Sequence, residues 1–79
     1  MLSEPMTLYK LMNLYMLKKV NFPLTNAQLT DFFLQHEYAS YFTLQQALGE
    51  LKDSGLIHAE STHSTTRYEI TKEGEETLN

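Results

Sequence analysis

Ser40-Tyr41-Phe42-Thr43-Leu44-Gln45-Gln46-Ala47-Leu48-Gly49-Glu50-Leu51-Lys52-Asp53-Ser54-Gly55-Leu56-Ile57, continued by the run from His58 to Tyr68, is the stretch that decides the fold. Leu44, Ala47, Leu48 and Leu51 recur at i, i+3, i+4 and i+7, the spacing of one buried helical face. Ser40 is placed to cap this helix, which reads over Tyr41–Ser54, and Gly55 supplies the left-handed position that closes it at almost no steric cost. Beyond it Ile57, Ala59 and Ser61 alternate with His58, Glu60 and Thr62, and Arg67-Tyr68-Glu69-Ile70 alternates again. The polar Thr62-His63-Ser64-Thr65 separates the two runs, so they read as a β-hairpin over about Ile57–Ile70.

Two helices precede this unit. Pro5 suits the first helical position, with Ser3 or Glu4 ahead of it to cap, and the sequence is helical from Met6 to about Val20. Leu8, Leu11, Met12 and Tyr15 make one apolar stripe, Tyr9, Met16 and Val20 a second, and Leu14 with Leu17 a third. A surface helix needs only one stripe of roughly 100°. This one either is wrapped on two sides by a small curved core or meets a second subunit, through Tyr9, Met12, Met16 and Val20. Asn21-Phe22-Pro23 breaks the helix, because Pro23 lacks an N–H and forces Phe22 into an extended conformation. Leu24 reads as a brief strand. Thr25-Asn26-Ala27-Gln28 fits a capping box that opens the next helix, Asn26–Gln35, with Leu29, Phe32 and Phe33 as its core face. His36-Glu37-Tyr38-Ala39 is the turn into the third helix. After the hairpin, Thr71 caps the start of a fourth helix whose acidic first turn suits the helix dipole. It has only Leu78 as an anchor, and the natural protein is expected to continue beyond Asn79.

With 79 residues there is room for one small domain, and one covers the chain, 1–79. No cysteine is present, which excludes disulfides, thiolate metal sites and a cysteine nucleophile. No signal peptide or membrane-length apolar run is evident, and a cytoplasmic location is the expectation. The net charge is −4 and unevenly spread. Lys10, Lys18 and Lys19 outweigh Glu4 before residue 24. Lys52 faces Asp31, Glu37, Glu50 and Asp53 in the middle, and Arg67 and Lys72 face Glu60, Glu69, Glu73, Glu75 and Glu76 at the end. That acidity opposes tight nucleic-acid binding, since phosphate neutralisation supplies most of its non-specific affinity.

The order of elements, with Leu48…Leu51…Ser54-Gly55-Leu56-Ile57 followed by Arg67-Tyr68-Glu69-Ile70-Thr71-Lys72-Glu73-Gly74, resembles the winged helix-turn-helix regulators of bacteria and archaea. There, the first motif ends the recognition helix and the second leaves the wing. Asn21-Phe22-Pro23-Leu24-Thr25-Asn26 together with Tyr41-Phe42-Thr43-Leu44-Gln45-Gln46 is similar, more specifically, to the N-terminal part of a bacterial family of presumed transcriptional regulators. The resemblance implies an α+β fold: a three-helix core, a hairpin wing and the start of a fourth helix. It implies a third helix in a major groove and a hairpin tip on the backbone or minor groove of double-stranded DNA, in a homodimer. On that basis Phe42, Thr43, Gln45 and Gln46 are the candidate readers. Arg67 and His63 are the candidate wing contacts, and Thr25 and Asn26 contact phosphate from the start of the second helix.

Enzyme chemistry is not expected. His36, His58 and His63 have no convergent carboxylates at metal-ligand spacing, the hydroxyls near His63 have no oriented base, and Gly49, Gly55 and Gly74 are isolated. No cofactor, metal or small-molecule ligand is implied. Two classes of function stand: a dimeric DNA-binding regulator, and a winged-helix module for protein contacts that exploits the acidic surface and the apolar first helix.

Overall fold

The computed structural model describes residues 3–36 and 40–78, with side chains from residue 6 onward. The described residues form an α+β domain with four helices and a three-stranded antiparallel sheet: α1 (Ser3–Val20), β1 (Leu24–Thr25), α2 (Asn26–Gln35), α3 (Tyr41–Asp53), β2 (Ile57–Ser61), β3 (Thr66–Ile70) and α4 (Lys72–Leu78). The turn expected at residues 36–39 lies, beyond His36, outside the described residues. α1 starts at Ser3, so Pro5 falls inside its first turn rather than opening it; the N–H that proline lacks is one the first turn leaves unbonded anyway.

Each helix ends as its local chemistry dictates. α1 stops at Asn21, which takes the left-handed conformation (φ 60°) and donates its N–H to Leu17 O at 3.3 Å, so the break precedes Pro23 rather than being made by it. α2 opens with the reciprocal cap: Gln28 N–H to Thr25 Oγ1 at 3.0 Å, and Thr25 N–H to Gln28 Oε1 at 2.9 Å. α3 opens on Ser40, whose Oγ accepts from Thr43 N–H. It closes in a Schellman turn: Gly55 is left-handed at φ 78°, Leu56 N–H reaches Leu51 O and Gly55 N–H reaches Lys52 O, each at 3.0 Å.

The sheet order is β1-β3-β2, so β3 is central. Ile57 faces Ile70, Ala59 faces Tyr68 and Ser61 faces Thr66 across the hairpin, while Leu24 faces Tyr68 from the other side. Ile57 and Tyr68 point inward and His58, Glu60, Arg67 and Glu69 outward. One core joins every element except the last: Leu14 and Leu17 of α1, Leu29 and Phe33 of α2, Leu44, Leu48 and Leu51 of α3, and Leu24, Ile57 and Tyr68 of the sheet, with Leu78 of α4 packed at its margin. Phe32, expected as core, is half-buried; its ring meets Phe33 edge-on and lies over His36. Asn13 is buried among these apolar groups. Its Nδ2 donates to Tyr9 O at 2.8 Å, and its Oδ1 has no hydrogen-bond partner among the described residues.

Candidate functional site

α3 turns Leu44, Ala47, Leu48 and Leu51 into the core, and helical periodicity then sends Phe42, Gln46, Gly49 and Asp53 to the solvent side. Phe42 is the most open large apolar side chain described, at 82% exposure. Tyr41 beside it is 49% exposed, and the two rings meet edge-to-face with centroids 5.7 Å apart. The two rings form an exposed apolar patch at the start of the helix.

Behind this face lies a polar network that fixes how α3 sits on α2. Asn26 Nδ2 donates to Gln45 Oε1 at 2.8 Å, and Gln45 Nε2 returns the bond to Asn26 Oδ1 at 3.0 Å. Asn26 Nδ2 also reaches Tyr68 Oη at 3.1 Å, and Thr30 Oγ1 bonds Asn26 Oδ1 and accepts from Gln45 Nε2. Four side chains from α2, α3 and β3 thereby satisfy one another where the domain is half-buried. Truncating Asn26, which bonds all three others, would break most of the network.

The eight candidate contact residues thus divide by position. Phe42, Gln46, His63 and Arg67 are exposed, whereas Thr25, Asn26, Thr43 and Gln45 are half-buried. Asn26 and Gln45 spend their amides on each other, Thr25 on its cap, and the Thr43 hydroxyl lies 2.9 Å from Ser40 Oγ. Sequence reasoning did not find the Asn26–Gln45 pairing, because two amides 19 residues apart carry no local signal. Nor did it find the partner of Glu50. Lys10 of α1 forms an ion pair with Glu50 Oε1, while Gln46 Nε2 donates to Glu50 Oε2 at 3.0 Å. The Lys10 hydrogen bond, then that of Gln46, holds the Glu50 carboxyl below its ordinary value of 4.5.

Between the start of α2, Tyr41 and the hairpin tip is an open cleft of about 640 Å³, lined among others by Thr25, Thr30 and residues 62–66. Among the described residues Asp31 is its carboxylate and His63 its imidazole, and no lysine or arginine lines it. The tip is held by Thr62 N–H to Thr65 O at 2.8 Å and by Ser61 Oγ and Thr66 Oγ1 in contact at 3.1 Å.

α1 exposes Leu8 (55%), Leu11 (41%) and Tyr15 (57%) along one stripe. Of the four residues expected at a subunit contact, Met12, Met16 and Val20 pack partly against the core and Tyr9 is half-buried. Met12, Met16 and Val20, with Tyr15, Lys19 and Phe32, line a shallow apolar groove of about 370 Å³ beside the exposed stripe.

Among the described residues no three His, Asp or Glu side chains are grouped to hold a metal ion, and no helix is long and apolar enough to cross a membrane. No curated protein and no solved structure matches the chain. Residues 9–79, nearly the whole domain just described, match the model of one protein family, and the chain belongs to it: Domain of unknown function (DUF4364).

Proposed function

We propose that the domain is a winged helix-turn-helix that binds double-stranded DNA as a non-catalytic transcriptional regulator, with α3 in the major groove and the β2–β3 hairpin as the wing. The observation that carries this is the open side of α3: Phe42 and Gln46 project from it, and its first residue, Tyr41, lines the same cleft as the hairpin tip. In such docking the exposed residues of the second helix of the pair meet base edges while the hairpin touches backbone. Phe42 is suited to a thymine methyl, Gln46 to an adenine edge, and Arg67 and His63 to phosphate. Asn26 and Gln45 orient α2 against α3 rather than reading bases. A homodimer through the α1 stripe of Leu8, Leu11 and Tyr15 would join two weak half-sites, and joining raises affinity without any new contact to DNA.

Selection of sequences from a random duplex library tests this, followed by binding titrations at several salt concentrations. A regulator enriches a sequence and shows a steep negative salt slope. Gln46→Ala should relax the preference at one base pair by about 1–3 kcal/mol. Arg67→Ala should weaken all sequences alike and flatten the slope by about one unit. The acidic charge near this face, from Asp31 and Asp53, favours a second reading, a protein-interaction module with little DNA affinity. No enriched sequence and a flat salt response would remove the regulator reading and leave that alternative standing.

A further inference from the structure

Gln46 and Glu50 stand one turn apart on the open side of α3, and Lys10 reaches Glu50 from α1. A surface glutamine ordinarily samples several rotamers, and immobilising such a side chain on binding costs about two- to twelvefold in affinity. Here one amide N–H is already given to a carboxylate, and that carboxylate is anchored from a second helix. The amide keeps one N–H and its carbonyl oxygen, the donor and acceptor that match the N7 and N6 edge of adenine. We propose that Glu50, anchored by Lys10, is a positioning residue that presets Gln46 to read adenine in the major groove. The proposal rests on the DNA-binding function above. It also accounts for a carboxylate on a surface meant for phosphate: Lys10 compensates its charge, and its use is to aim the amide.

Library selection and titration with wild type, Glu50→Ala, Glu50→Gln and Gln46→Ala test this. Glu50→Gln removes the charge but keeps an oxygen that accepts from Gln46, whereas Glu50→Ala removes both. A carboxylate acting only through its charge makes the two variants alike: both bind every sequence more tightly, with base preference unchanged. A positioning carboxylate separates them. Glu50→Ala is expected to lose about two- to twelvefold of the adenine preference, as a freed side chain must then be ordered on binding, while Glu50→Gln retains it. In the Gln46→Ala background Glu50→Ala should change the preference no further, the non-additivity of residues acting as one unit. Lys10→Met, which leaves the carboxylate unanchored, should lose preference in the same direction; a wild-type profile there would overturn the part assigned to Lys10. An enriched sequence whose base preference survives Glu50→Ala overturns the inference alone. No enriched sequence with wild type removes the DNA-binding function and the inference together.

Discussion

Gly49→Ala and Gly74→Ala are the same chemical change and should move stability in opposite directions. Gly49 lies on the open side of α3, and a Cβ built there meets nothing within 4 Å. Alanine in a helix interior is then favoured by about 0.8–1 kcal/mol, which for a domain of this size raises Tm by roughly 4–8 °C. Gly74 is buried in α4. A Cβ there would overlap the Leu56 carbonyl oxygen and stand 2.7 Å from Ile70 Cγ1. Ile70 can turn aside, but Leu56 O is backbone and accepts from Thr71 N–H at 3.1 Å. Relief therefore strains the bonds that seat α4, including Thr71 Oγ1 to Gly55 O at 2.7 Å. Overpacking of about 1–3 kcal/mol plus a weakened hydrogen bond of about 1 kcal/mol, less the helix-propensity gain, leaves a net loss of about 2 kcal/mol. Urea unfolding measures both variants, and hydrogen exchange localises the loss in Gly74→Ala to the amides of α4. If Gly74→Ala is as stable as wild type with α4 still protected, or Gly49→Ala is destabilised, the account of both positions is wrong.

Three further outcomes are expected. Gln45→Ala should cost about 1 kcal/mol by removing two of the hydrogen bonds of the Asn26 amide, which keeps Tyr68 and Thr30, and the double variant with Asn26→Ala should cost less than the sum of the two singles, which a double-mutant cycle in urea reads directly. Leu11→Glu or Tyr15→Glu should convert a dimer to monomer in sedimentation at micromolar concentration; a monomeric wild type removes the α1 contact. Because the Glu50 carboxyl titrates below 4.5, its contribution through Lys10 is present above that pH and is lost as the pH falls through the lowered value. Lys10→Met should therefore flatten the stability curve on the acid side, below the ordinary carboxylate value of 4.5, and leave its neutral limb unchanged in shape.

What was legible in the chain was legible because it is local. The Thr25–Gln28 cap, the buried side of α3, the Gly55 stop and the four-residue tip between Ser61 and Thr66 each rest on residues within one or two turns of one another. The pairings between distant residues were not. Asn26 and Gln45 have the chemistry of base readers, and only the packing of α2 on α3 reveals that each is the other's partner. Glu50 reads as a charge that repels phosphate until the fold brings Lys10 to it from α1. α1 is apolar nearly all round, so its composition could not say which stripe turns inward; Leu14 and Leu17 do, and Leu8, Leu11 and Tyr15 remain outside. Asn13 gave no sign of burial, since a polar residue at a core position looks like surface in any pattern of hydrophobic periods. Asn21 does carry a usable signal, as asparagine tolerates the left-handed conformation well, although Pro23 two residues on is the stronger helix breaker in the sequence.

Thr71 ties Gly55 and Leu56 to the start of α4, so the two ends of the β2–β3 hairpin are fastened to one another at the root. β1 adds a second brace halfway along, opposite Arg67 and Tyr68. Mechanically the ribbon is a beam clamped at its base and propped at mid-span, and only about two residues per strand overhang the prop, roughly 7 Å. So short an overhang bends little. His63 and Ser64 line the cleft with Thr25 and Tyr41 from the end of that overhang, so its length sets the tip's reach across the cleft.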